Sequence, residues 1–481
     1  MAERTASRAS RWLLDGDGQG SGPAVAWLFL RGLALIHAVA FASLAVQVRG
    51  LIGARGLLPW APFARALNQA HVPLFDAPSL LRWAPGDAAL VGLAWLGVAL
   101  AVAALLGPRP RLSLGINLAL YLSFVTAGRT FFSFQWDALL IEATVLALFL
   151  PTTRRARWIH LLFRVLLFKL YFESGLAKLL GGTQWLSGQA MSLYDQTAPI
   201  PTRLAWYSHH LPFAWHRLES WATLALELGV PLLIFGPRRA RRVALGCFTL
   251  FQAVDLLTAN YGFFCYLSLL LGLFLLDDRD LAIAPAPAPR RRWETPWVLA
   301  PLVGCYLGLS LLAGMRAFDP AAMPRWARAV AARAAPFWAV NAFHLFGTIT
   351  PERVEPRVQT LDAGAWHTQP LRFEPGPPAR APPFVAPHQP RLDFQMWFYG
   401  LAARGRPPQY VVNLMTRLCA DPDAVQHFFP APLPAHAEAV RVRFARYTFS
   451  SAAERRETGR WWHVEDLGVG PQLDCARARG R

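Results

Sequence analysis

Nine apolar stretches of roughly bilayer-spanning length constrain this chain more than any other feature. They run over 24–46, 88–106, 112–128, 132–150, 159–180, 218–235, 241–258, 261–276 and 296–314. A helix needs about 20 mostly apolar residues to cross the hydrocarbon layer. Between these runs the arginines fall in a rhythm. Arg8 and Arg11 precede the first run, PRPR (108–111) follows the second, TTRRAR (152–157) the fourth, GPRRARR (236–242) the sixth, and DDRD and RRR (277–292) the eighth. Every second loop is therefore basic, which marks the cytoplasmic side. The alternation predicts a cytoplasmic N-terminal tail (1–23), a membrane domain (24–315) with an odd number of crossings, and an extracytoplasmic C-terminal domain (316–481). No small-residue cleavage site follows the first run, so that run reads as an uncleaved anchor.

Composition agrees. Of 481 residues 54% are hydrophobic and only 16% charged, too apolar for a soluble enzyme of this length. The net charge of +18 would suit nucleic acid, but the arginines sit in short knots between apolar runs and form no single basic face. The bilayer is the expected partner, and nucleic acid is not. Arginine outnumbers lysine 46 to 2, a usage that fits a GC-rich bacterial genome. Cys247, Cys265, Cys305, Cys419 and Cys475 are scattered with no CxxC pair, so neither a disulfide framework nor a zinc site is expected.

Both lysines lie on one apolar helix, FRVLLFKLYFESGLAKLLGG (163–182), with Arg164 and Glu173. A charge near the bilayer centre costs about 2.5–3.5 kcal/mol on insertion scales. Arg164 and Lys178 sit near the ends and can snorkel. Lys169 and Glu173 are one turn apart, so the spacing predicts that they neutralise each other. Asp137 and Glu142 (fourth run), Glu227 (sixth) and Asp255 (seventh) are further intramembrane acids. The expectation is one buried polar cluster whose acids pair with Arg129, Arg164, Lys169 and Lys178. It would either hold helices in register or line a binding or proton-handling cavity. Arginine stays protonated, whereas a desolvated lysine can lose its proton. Lysine identity at 169 and 178 therefore raises the second possibility.

Beyond residue 316 the pattern changes. WARAVAARAAPFWA (326–339) reads as a short interfacial helix. RVEPRVQTLD (353–362), WHTQPLRF (366–373), VRVRFARYTF (440–449) and RWWHVEDL (460–467) read as strands; LDFQMWFYGLAA (392–403), YVVNLMTRLCA (410–420) and DPDAVQHFF (421–429) read as helices. The fold class is an α-helical multi-pass membrane protein of about nine spans with a C-terminal α+β, β-rich domain. APAPAP (284–289) is a stiff spacer before the last span.

Several long pieces are similar to the lipase maturation factors. They are FFSFQWDALLIEA (131–143), TRLAWYSHHLPFAWHRLE (202–219), LELGVPLLIF (226–235), LTANYGFFCYLSLLLGLFLLDD (257–278), RAPPFVAPHQPRLDFQMWF (380–398), and RYTFSS followed by GRWWHVEDLG (446–468). The resemblance implies a multi-pass membrane protein, resident in the endoplasmic reticulum in animals, that helps secreted lipases fold and assemble into active dimers. The family's YHYETQP-like stretch is replaced here by SLYDQTAPIP (192–201), so no histidine role carries over. A shorter resemblance joins YFESGLAKLLGGTQWLSG (171–188) to vitamin K-dependent gamma-carboxylases and their bacterial relatives, which would make Lys178 a base acting on a quinone or lipid.

His209, His210, His216 and Glu219 do not have the spacing of a closed metal site, and they read as a solvated outer loop with Trp206, Tyr207 and Trp215 as interface anchors. NYGFF (260–264) reads as a tight turn. Asn260 and Tyr261 in it, with Pro387, His388, Trp397 and Phe398, are candidate contacts for an exported client, a lipase foremost; for the segment carrying the last four, a strap packed on the β-unit is the competing reading. No GxSxG, HExxH, P-loop or dinucleotide motif occurs, so no cofactor is expected and a maturation role is favoured over catalysis.

Overall fold

The computed structural model describes residues 22–153, 156–281, 296–402 and 405–479. The N-terminal tail through residue 21, the APAPAP spacer, the RRR knot and two arginines of TTRRAR lie outside the described residues.

Every expected apolar run contains a helix. These are α1 (Pro23–Ala45), α2 (Asp87–Leu106), α3 (Pro110–Gly128), α4 (Gln135–Leu148), α5 (Arg157–Leu180), α6 (Phe213–Gly229), α7 (Arg238–Thr258), α8 (Phe264–Leu271) and α9 (Pro296–Phe318). Pro23 and Pro110 open their helices, where a missing N–H costs nothing and φ is already set. Five helical stretches are long and apolar enough to cross a bilayer alone: Pro23–Ala45, Asp87–Leu106, Pro110–Phe132, Phe213–Phe235 and Trp297–Phe318. The other four expected runs fall short of that standard for physical reasons. The α4 helix has 14 residues and α8 has 8, while α5 and α7 have the length but carry charge.

Successive helices reverse direction. At one end of the bundle, Arg164 Nε near the start of α5 donates to the Phe274 carbonyl just beyond α8 (2.9 Å), and Arg241 on the first turn of α7 bonds Asp277 (2.6 Å). Asp278 there accepts from Gly22 N (3.0 Å) and Val25 N (3.3 Å) at the start of α1. The opposite end meets the C-terminal region. Ser43 on α1, Asp137 on α4, Lys178 on α5 and Asn260 after α7 all bond residues between 345 and 391.

The C-terminal region opens with α10 (Arg325–Ala334), the short amphipathic helix expected. Strands β1 (Arg353–Asp362), β2 (Ala365–Thr368), β3 (Ala439–Phe449) and β4 (Trp462–Asp474) form one antiparallel sheet in the order β2-β1-β3-β4. The β1–β2 hairpin turns on Ala363 (φ 49°) and Gly364 (φ 75°), the pair of left-handed residues a two-residue loop demands. WHTQPLRF leaves the ladder after Gln369, whose N–H donates to the Val358 carbonyl (2.8 Å); the next inward donor, Leu371 N, bonds Glu374 Oε1 (2.9 Å) instead. DPDAVQHFF forms two 3-10 turns, 422–424 and 426–428, in place of the expected helix. Helices α11 (Arg391–Leu401) and α12 (Gln409–Ala420) pack beside the sheet, and α13 (Ala452–Thr458) and α14 (Cys475–Arg479) are short. Cys419 on α12 and Cys475 on α14 form a disulfide, correcting the expectation of none. Their separation of 56 residues gave no local signal; the meeting of α12 and α14 creates the bridge.

One continuous apolar core runs through both regions. It includes Phe29, Phe163 and Phe274 among the membrane helices and Phe394, Val411 and Val442 in the C-terminal domain.

Candidate functional site

The expected polar cluster separates into three buried ionic centres, each closed by the C-terminal side of the molecule. In the first, Asp137 receives a two-pronged bond from Arg391 on α11 (Nη1–Oδ2 2.9 Å, Nη2–Oδ1 2.8 Å). Tyr121 Oη also donates to Asp137, Arg391 Nη1 donates to the Phe131 carbonyl (2.7 Å), and the guanidinium lies over the Phe132 ring (3.6 Å). Arg391 was absent from the sequence-based candidates, although it lies within a family-like stretch. Nothing in the sequence tells which of 46 arginines enters the bundle.

In the second, Glu142 uses both oxygens fully. Lys169 Nζ (2.8 Å) and Tyr306 Oη (2.7 Å) donate to Oε1, and Asn341 donates to Oε2 through its backbone (2.8 Å) and Nδ2 (3.1 Å). The predicted Lys169–Glu173 bridge is not made. Glu173 instead accepts from Phe343 N (2.7 Å). Lysine preceding glutamate is the weaker order for a one-turn pair, and Glu142 offers a complete set of donors to keep it.

In the third, Lys178 Nζ bonds Glu227 (Oε1 2.9 Å, Oε2 2.8 Å) and the Leu345 carbonyl (3.0 Å), above the Trp185 ring (5.2 Å). Gly175 permits this: a Cβ there would stand 2.9 Å from Glu227 Cβ, so α5 and α6 approach where only glycine fits. Asp255 lies near this centre without a hydrogen bond to its carboxylate among the described residues.

Arg129 and Arg164 pair with no acid of the cluster. Arg129 donates to the Leu58 carbonyl (2.7 Å) and covers the Phe63 ring, while Arg164 takes the Phe274 carbonyl. Both sit at helix ends, where open carbonyls are plentiful.

The third centre opens into a cavity of about 870 Å³. Its walls come from α5, α6 and α7, from the 344–350 segment, and from Trp397 and Phe398 of α11. This is large for a small-molecule site, and it is mostly apolar with a few convergent polar groups.

The candidate client contacts form a strap between the two domains. Asn260 is fully buried; its Oδ1 accepts from Val385 N (2.7 Å) and Ala386 N (2.9 Å), and its Nδ2 donates to the Pro383 carbonyl (2.9 Å). Tyr261 bonds Tyr194 through their hydroxyls, and Pro387 follows a cis peptide bond. His388 Nδ1 pairs with Ser43 Oγ (2.9 Å), and burial holds its imidazole down at about 4. Trp397 Nε1 donates to the Thr197 carbonyl (2.9 Å). Phe398 remains exposed, as does Leu401 one turn on. The expected solvated histidine loop is instead largely helical, over Arg203–His209 and the start of α6, with Trp206 and His216 buried; His216 pairs with Glu219 (3.2 Å) and His210 with the Trp206 carbonyl (2.7 Å), and no cluster suited to a metal occurs among the described residues.

Comparison with known proteins covers both regions. The lipase maturation factor transmembrane domain matches residues 24–283 and the lipase maturation factor C-terminal domain matches residues 339–469. The chain is 30% identical to lipase maturation factor 1 of Bos taurus over 92% of its own length and 87% of the relative's. It is 29% identical to lipase maturation factor 2 of Homo sapiens (90% and 80%) and 28% identical to lipase maturation factor 1 of Homo sapiens (92% and 86%). No solved structure matches. With helices α1–α8, the strap and most of the sheet falling inside these matches, the chain belongs to the lipase maturation factor family.

Proposed function

We propose that this chain is an integral membrane protein that matures exported enzymes, lipases first among them, by holding an unassembled client against its extracytoplasmic face. The observation that carries the reading is the similarity to lipase maturation factors through membrane helices and C-terminal domain alike. In this reading all nine helices cross, residues 24–315 form the membrane domain, and the N-terminus is cytoplasmic. The alternating helix directions support that count, because the arginine-rich end of the bundle lies opposite the end that meets the C-terminal domain. The Cys419–Cys475 bridge suits an oxidising compartment for residues 316–481.

The three ionic centres act as registry devices. Each ties a membrane helix to a residue beyond 340, which makes the outer domain a rigid platform. Client contact falls to the apolar side chains that the strap leaves exposed, Phe384, Phe398 and Leu401. Full-length protein should co-purify a secreted lipase from its own cells, and Phe398→Ala with Leu401→Ala should reduce that yield at least severalfold while the protein stays folded. Undiminished lipase activity in a deletion strain would contradict the reading.

A further inference from the structure

The 870 Å³ cavity has an unbalanced wall. One lysine faces three carboxylates, Glu219, Glu227 and Asp255. Lys178 is committed to Glu227 and the Leu345 carbonyl, and Glu219 to His216. Asp255 is left over. Gln252, buried in the same wall, gives its Nε2 to Tyr171 Oη (3.1 Å) and leaves Oε1 without a donor. The wall therefore offers acceptors in excess and lacks a cation. A carboxylate without a hydrogen-bonded partner in an apolar, partly dehydrated space is disfavoured.

The rim shows where the missing group comes from. Leu250 and Val254 of α7, Trp215 of α6 and Leu180 of α5 line the cavity and are exposed. All four belong to the helices read as membrane-crossing, so that side of the opening faces lipid, from the interface at Trp215 inward, and admits what dissolves there; Phe398 and Leu401 form its exposed outer side. We propose that this cavity binds a single-chain aminolipid, its primary ammonium against Asp255 and its chain along the apolar wall. A charged client peptide would have to approach through that apolar rim, which disfavours it. The inference rests on the membrane reading above, and because Phe398 and Leu401 also line the cavity, it is tested with no client present.

Full-length protein in detergent micelles would be photolabelled with diazirine-bearing hexadecylamine and, separately, with the matching palmitic acid, and the labelled peptides mapped by mass spectrometry. The amine should label cavity-wall peptides at least about tenfold more than the acid, the least expected of a lost buried charge pair. Asp255→Asn, which keeps the volume, should remove that preference. Ala222→Trp, which narrows the mouth without touching a polar group, should cut labelling by the amine. Equal labelling by amine and acid, or amine labelling unchanged in both variants, would overturn the proposal, as would competition by a lysine-bearing peptide but not by unlabelled hexadecylamine. Lipase co-purification is scored separately, so its failure leaves this result readable.

Discussion

Arg391 and Asp137 stand 254 residues apart in the chain and 2.8 Å apart in space, and both are buried. Such a pair is weak evidence of net stability, but removing one member is severe, because the other is left charged and dry. Arg391→Ala should lower stability by about 3–5 kcal/mol, read as a fall in the thermal midpoint in detergent. Arg391→Lys should recover only part of it, since an ammonium cannot make the two-pronged contact. The acids themselves were legible in sequence, because a carboxylate inside an apolar run must have a partner. The partners were only half legible. Lys169 and Lys178 do meet acids, but the one-turn rule pointed Lys169 to Glu173 when the fold supplied Glu142, and Arg391 came from beyond the membrane domain altogether.

At the level of elements, hydropathy located the nine apolar helices α1–α9 but not shorter ones such as Trp60–Gln69 and Ala190–Thr197, and alternation located the sheet's strands. The failures were local: Leu371 N turned from the sheet to Glu374 and ended one strand, and 421–429 formed two 3-10 turns in place of an α-helix. The disulfide had no local signature. Removing it with Cys419→Ser and Cys475→Ser should cost about 2–4 kcal/mol, and the native chain should migrate faster on a non-reducing gel than the double variant. Between the strap and the sheet lies a second legacy of burial. Glu374 is pushed up to about 8 and Asp393 to about 7, mainly because burial penalises their charged forms, with Glu355 adding repulsion on Glu374. Their ordinary values lie near about 4. The folded state thus holds these protons more tightly than the unfolded state, so their contribution is complete below about pH 4 and is lost as pH rises through 7 to 8. Midpoints for unfolding of the wild type should fall over that interval, and Glu374→Gln should flatten the slope.

For the whole molecule, the Arg391–Asp137 pair, the hydrogen bonds that Asn341 and Leu345 make to the other two ionic centres, and a shared apolar core make the membrane helices and the C-terminal domain one body. A platform of this kind can present client-binding side chains at a fixed height above the bilayer. Client binding outside the cytoplasm requires that platform to face the non-cytoplasmic side. In a background lacking Cys247, Cys265 and Cys305, Glu465→Cys on β4 and Arg109→Cys in the α2–α3 loop each place one thiol at an exposed position. Labelling by a membrane-impermeant maleimide, applied to sealed vesicles of each orientation, should modify the first only from the non-cytoplasmic side and the second only from the cytoplasmic side. Labelling of both from one side, or of the β4 position from the cytoplasm, would contradict the account.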